Sequence, residues 1–333
     1  MQAIDPLVLL LPILVSWTIA FIATPCVRAI ALRYGIIDAP DGLLKLQRKP
    51  VAYLGGLALL SAIFPFYPLV WSCFLFAMLA IGIADDVARC APGIKFFAQL
   101  LVAIGMIAVL GPMTCTGLLG FDLLITLAWI ISCMNAFNLV DVMDGLVGTI
   151  TVIIAVTIAL IACLGAASAL LVPSLALASA IAAVLFYNYR PAQLYFGDGG
   201  SMMVGAAIAL LGMQLVRQAG MSPFSSILFL ALLTAIPALE VCMLILIRAR
   251  LSIPFYQGSR HHFCHLLQQR GLTVGQINLL AGSMTTVFCW LATLLFMQQQ
   301  YASFIALVAV FIAGGWVATL IPLSLRRQLG FPF

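Results

Sequence analysis

The chain has 333 residues, 65% hydrophobic and only 8% charged, with a formal net charge of +5. Soluble chains carry about a quarter charged residues, so the composition excludes a soluble fold and predicts an all-α, polytopic integral membrane protein. The basic excess suits anionic lipid headgroups or an anionic substrate, and with no solvated basic domain it excludes nucleic acid as a partner.

The segment Met1–Asp5 has no basic n-region and no small-residue cleavage site follows the first apolar run, so that run is expected to remain as a membrane helix. Eleven apolar stretches are expected to span, at about 6–25, 51–67, 69–84, 96–111, 122–134, 147–164, 168–187, 201–216, 225–247, 275–297 and 301–322. With the N-terminus periplasmic and the C-terminus cytoplasmic, this threading puts all of the 15 basic residues but Arg217 on one side. The positive-inside rule makes that side cytoplasmic. No composition shift divides the chain, so residues 1–333 form one domain, its site built from loops 26–50, 85–95, 135–146, 188–200 and 248–274. The nine cysteines lack a C-x-x-C pair and read as small core residues. Gly55-Gly56, Gly314-Gly315 and the methionines read as helix packing.

In chain order, the first polar cluster is Asp85-Asp86, which closes the third stretch; two adjacent carboxylates need a cation, a proton or a basic partner, and Arg89 and Lys95 follow. Next, Asn135, Asn138, Asp141 and Asp144 recur every third residue before Gly145, a spacing expected to gather two amides and two carboxylates on one side of a helix or tight turn. Their oxygens are hard ligands suited to magnesium. Gly197-Asp198-Gly199-Gly200-Ser201 opens the eighth stretch, where glycines admit an anion to a helix N-terminus and Asp198 can hold a metal against it. All three histidines, His261, His262 and His265, fall beside Arg260 and form a cationic patch suited to a diphosphate; zinc on His262, Cys264 and His265 is the rival reading. Glu240 lies inside the ninth stretch, costly there, and reads as a buried partner or a substrate contact.

Taken together and in order, these motifs resemble the polyprenyl-phosphate N-acetylhexosamine-1-phosphate transferase family. Asp85-Asp86 with Lys95 and Gln99 is similar to its Asp-Asp motif, Asn135 to Gly145 to its N-x-x-N-x-x-D-x-x-D-G motif, and Gly197 to Ser201 to its G-D-x-G-S motif. Asp38-Ala-Pro40, Lys45 and Pro50 to Gly56 resemble its first loop, although Gln47 stands where many members have His. The segment from Pro254 to His265 resembles the P-D-R-x-H-I-H-H segment of N-acetylglucosamine-type members, with Ser259 in place of Asp and Cys264 in place of a His.

The resemblance implies transfer of an N-acetylhexosamine-1-phosphate, foremost N-acetylglucosamine-1-phosphate, from a UDP-sugar to undecaprenyl phosphate, releasing UMP and initiating O-antigen or another cell-envelope glycan. UDP-N-acetylgalactosamine, a 6-deoxy-N-acetylhexosamine or the muramoyl-pentapeptide donor are the alternatives within that reaction. It implies Mg2+, replaceable by Mn2+, on Asp198 and Asn138. Catalysis falls to Asp85, with Asp86 supporting, and to Asp141 and Asp144. Substrate contacts fall to Lys45, Asn135, Asn138, Tyr195 (by stacking on uracil), Arg260, His261, His262 and His265, with Asp144 also beside the nucleotide. Cys264 is expected to support the diphosphate. A covalent phospho-aspartate route stands beside direct attack, and a homodimer is left open. The expected location is the bacterial inner membrane, with the active site on its cytoplasmic face. A transporter of anionic solutes is the alternative of a different class, but its carboxylates would lie near the midplane in repeated halves, and here they lie at helix ends.

Overall fold

The computed structural model describes residues 6–39, 50–88, 90–254 and 261–320. Thirteen α-helices make up almost all of it: α1 (Pro6–Tyr34), α2 (Gly55–Ile63), α3 (Leu69–Ala88), α4 (Pro92–Leu110), α5 (Leu119–Val140), α6 (Leu146–Ile161), α7 (Leu171–Asn188), α8 (Gly197–Ala219), α9 (Pro223–Leu233), α10 (Ala235–Arg250), α11 (Phe263–Gln269), α12 (Val274–Met297) and α13 (Ala302–Leu320). The one sheet pairs β1 (Ile37–Asp38) antiparallel with β2 (Val51–Ala52), Ile37 opposite Ala52. Apolar side chains face outward along α1, α4 and α13, as a lipid-facing surface requires. The protein is a multi-pass membrane protein.

Among the described residues nine helices are long and apolar enough to cross a bilayer, and the bent pair α9–α10 makes up to ten. Two of the eleven expected stretches therefore differ. The second is the short helix Gly55–Phe66, which at 1.5 Å per residue falls well short of the roughly 30 Å hydrocarbon core. Its last turn is 3-10, with Pro65 in it and Pro68 just beyond. The ninth is broken by 84° between Leu233 and Ala235. Pro237 explains the break, because its ring occupies the space of the Leu233 carbonyl and it has no N–H to donate.

Helix α8 is the buried axis, packed against α3 and α5. Its glycines allow the backbones to touch: a Cβ on Gly82 would lie 2.2 Å from Gly199 Cα, one on Gly56 2.4 Å from Gly200 Cα, and one on Gly205 2.4 Å from the Cys133 carbonyl oxygen. Gly314 and Gly315, expected to serve the same purpose, have nothing within 4 Å of an added Cβ.

The C-terminal ends of α3, α5, α7 and α10 and the N-terminal ends of α4, α6, α8 and α12 meet at one end of the bundle, where the polar motifs collect. Arg217 lies at the opposite end and donates to the Leu110 carbonyl that closes α4. Asp122 anchors that end too, accepting the Thr116 and Gly117 N–H groups at 2.7 and 3.2 Å.

Candidate active site

The polar end is organised around the first turn of α8. Asp86, in the last turn of α3, accepts the Asp198 N–H at 3.1 Å and also bonds the Gly199 N–H. An acidic side chain thus satisfies two of the orphan donors of a helix N-terminus. Gly197 makes this approach possible: its φ of +73° is left-handed, and a Cβ there would stand 2.6 Å from Asp86 Oδ2.

Asp198 itself is gripped from two sides. Asn138 Nδ2 donates to its Oδ1 at 3.0 Å and to Ser201 Oγ at 3.0 Å, while Lys95 Nζ donates to its Oδ2. The same ammonium lies 2.8 Å from Asp85 Oδ2, and Asp85 Oδ1 accepts the Cys90 N–H at 2.9 Å. Lys95 is therefore the cation shared by Asp85 and Asp198. It was legible as a partner charge, but its central place depends on α4 starting four residues after α3 ends.

The evenly spaced Asn and Asp residues run from a helix into a turn. Helix α5 ends at Val140, so Asn135 and Asn138 belong to its last turns and Asp141 and Asp144 to the turn beyond. Asn135 donates to Gln99 Oε1 at 3.0 Å, an α4–α5 contact. Asp144 Oδ2 accepts the Ala192 N–H at 3.2 Å and bonds the Tyr195 hydroxyl, and its carbonyl accepts from Asn278 Nδ2 at 2.8 Å. Asp141 remains among the acids: burial first, then the charges of Asp198, Asp86 and Asp144, hold its carboxyl well above the usual carboxylate range. Tyr195 is half-buried, 6.2 Å from the Tyr53 ring, and burial and the nearby Asp144 charge push its hydroxyl up.

Asn188 and Asn278 carry no motif yet hold the turn in shape. Asn188 Oδ1 accepts the Gly145 N–H at 3.1 Å and its Nδ2 donates to the Leu194 carbonyl at 3.0 Å. The only signal for them is an amide at the polar end of an apolar helix.

Among the described residues no three His, Cys, Asp or Glu side chains converge as a ready-made metal site. A magnesium that keeps waters and binds substrate phosphates needs only one or two carboxylates. The donor set fits such an ion: the oxygens are hard, and Asp85, Asp86 and Asp198 lie around one ammonium, with Asp141 within reach of the Asp198 and Asp86 charges. Asn138 presents its amide nitrogen to Asp198, so as a ligand it would turn that amide over.

The histidine loop lies at the same end but is more closed than a diphosphate clamp would be. His262 is 5% exposed, with Nδ1 2.8 Å from Glu240 Oε1. His265 contacts Gln268 at 3.2 Å and stands edge-on to His262. Burial and then the charge of Arg248 push His261 below the usual imidazole value, so it contributes no fixed cation at neutral pH. Cys264 is fully buried, so it packs in the core, and burial and Glu240 push its thiol up. Lys45 and Arg260 lie outside the described residues.

Comparison with known proteins places the same motifs in sequence context. The family model described as glycosyl transferase family 4 matches residues 68–216, which contain the Asp85-Asp86, Asn135–Asp144 and Asp198 groups. A Bacillus subtilis (strain 168) protein named as a probable undecaprenyl-phosphate N-acetylglucosaminyl 1-phosphate transferase is 29% identical over 281 residues, covering 78% of this chain and 77% of that protein. The undecaprenyl-phosphate alpha-N-acetylglucosaminyl 1-phosphate transferase of Escherichia coli (strain K12) is 25% identical over 75% of this chain and 73% of its own length. The decaprenyl-phosphate N-acetylglucosaminephosphotransferase of Mycobacterium tuberculosis (strain ATCC 25618 / H37Rv) is 26% identical over 93% and 87%. With its motifs gathered at one end of a membrane bundle, the chain is similar to glycosyl transferase family 4 over residues 68–216 and to these N-acetylglucosamine-phosphate transferases over most of its length.

Proposed function

We propose that the protein transfers N-acetylglucosamine-1-phosphate from UDP-N-acetylglucosamine to undecaprenyl phosphate, giving the lipid diphospho-sugar and UMP at the cytoplasmic face of a bacterial inner membrane. The observation that carries this reading is the convergence of Asp85 and Asp198 on Lys95, with Asn138 bonded to Asp198, at a helix N-terminus and beside further acids. That is a site for anions that must be brought together, and the names of the relatives specify a polyprenyl-phosphate acceptor and an N-acetylglucosamine phosphate.

In the reaction an oxygen of the lipid phosphate bonds to the sugar-bearing phosphorus, and the bond from that phosphorus to UMP breaks, UMP leaving with the electron pair. Two anions approach only if fixed positive charge offsets their repulsion. Lys95 supplies one such charge, and Asp85 orients the lipid phosphate or takes its proton. Asp86 holds the α8 N-terminus so that Asp198 faces Lys95. Asp198 and Asn138 would hold Mg2+, or Mn2+, which when bound screens the diphosphate and polarises its oxygens. His262, His265 and Arg260 would contact the diphosphate, and Tyr195, Asp144 and Lys45 the nucleotide. The product would initiate a cell-envelope glycan such as O-antigen.

The test is the purified protein in detergent with undecaprenyl phosphate and a panel of radiolabelled UDP-sugars, reading labelled lipid and UMP together. Equal yields of both from UDP-N-acetylglucosamine are expected. No labelled lipid from any UDP-N-acetylhexosamine would overturn the reading, and a different preferred donor would correct the sugar.

A further inference from the structure

Glu240 is 2% exposed inside α10, a costly place for a carboxylate unless its oxygens are used. Both are. Oε2 accepts the Phe263 N–H, the first residue of α11, at 3.2 Å, and Oε1 lies 2.8 Å from His262 Nδ1. Leu244 and Arg248 continue the same buried face of α10 one and two turns on, and the Arg248 charge acts on both Glu240 and His261. The carboxylate therefore joins the helix after the bend to the loop carrying all three histidines.

We propose that Glu240 is a positioning residue: it fixes the tautomer and ring orientation of His262 and seats the start of α11, leaving His262 Nε2 as the nitrogen offered to a phosphate oxygen. A carboxylate can only accept, so a ring nitrogen 2.8 Å from it is expected to carry the proton, which leaves the opposite nitrogen as the acceptor. A lone buried structural acid would need no histidine against it. An imidazole contacting the diphosphate unaided would lose rotamer freedom at the moment of binding, which Glu240 removes beforehand. This inference rests on the transfer reading above.

Kinetics and spectroscopy test it separately. Glu240→Gln is expected to lower turnover roughly 10–100-fold with a smaller change in the UDP-sugar KM, and Glu240→Asp to recover part of the loss. In a His262→Gln background, Glu240→Gln should cost little more, since its effect acts through that ring. The losses multiplying in the double variant, or wild-type turnover in Glu240→Gln, would overturn the proposal. Nitrogen NMR on the histidine-labelled protein in detergent reads the tautomer without any substrate, and with three histidines assignment by single substitution is practical. His262 protonated at Nδ1 is expected; protonation at Nε2 alone would overturn the proposal even if Glu240→Gln fails to fold. Should the wild-type protein transfer no sugar phosphate, the function fails while the tautomer result still stands or falls by itself.

Discussion

Asp198 has one oxygen held by Asn138 and the other by Lys95, so its removal changes three groups at once. Asp198→Asn should cut transfer by roughly 100-fold or more while the protein still unfolds cooperatively in detergent; near-normal activity at saturating magnesium would take Asp198 out of the centre. Asp141 gives a pH signature. Its carboxyl is raised in the folded protein, so above the unfolded value of about 3.9 the native state holds a proton that the unfolded state has released. Stability then falls as pH rises through this window, and the loss is complete above the folded value. Divalent cation should restore it. The thermal midpoint without magnesium should therefore drop from pH 5 to pH 8, with the magnesium gain growing over the same range, and Asp141→Asn should flatten both trends. An unchanged pH profile in that variant would show that Asp141 does not sense the acid cluster. Cys264 is fully buried, so Cys264→His, which would restore the histidine of similar proteins, overpacks the core. It should cost about 1–3 kcal/mol, read as a lower unfolding midpoint with sugar preference unchanged.

At the scale of elements, close backbone contact between α3 and α8 sets the distance from Asp85 and Asp86 to Asp198. A Cβ on Gly82 would sit 2.2 Å from Gly199 Cα, backbone that cannot rotate away. Gly82→Ala must part the helices, and the expected result is a lower unfolding midpoint together with a fall in turnover, because the carboxylates move away from Lys95. Retention of both would mean that the α3–α8 contact is looser than these backbones indicate. The helices were mostly legible as apolar runs bounded by polar clusters. The stretches at 51–67 and 225–247 were not, because hydropathy counts apolar residues without regard to whether prolines let them form one straight rod. Pro65, Pro68 and Pro237 decide those cases.

Over the whole molecule, the distribution of basic residues predicts sidedness. In a cysteine-free background and intact cells, Arg217→Cys should react with a membrane-impermeant maleimide, whereas Lys45→Cys and Arg260→Cys should be protected; labelling of the latter two would invert the topology. Composition alone determined the membrane class, since apolar runs of this length and number have no other stable solvent. Motif order alone carried the family resemblance, because the chemistry requires those residue types whatever the packing. Three things were decided only by tertiary structure. Lys95 became the shared cation of Asp85 and Asp198 because α3, α4 and α8 converge, a contact between residues about 100 apart in sequence. The four evenly spaced Asn and Asp residues were divided between helix and turn because α5 ends between the second and third of them. Glu240, undecidable as an isolated acid in an apolar run, gained its meaning from His262, which the bend between α9 and α10 and the fold of the following loop bring within 2.8 Å. Spacing along a chain fixes geometry only while one helix lasts; beyond its end, the packing of other helices sets it.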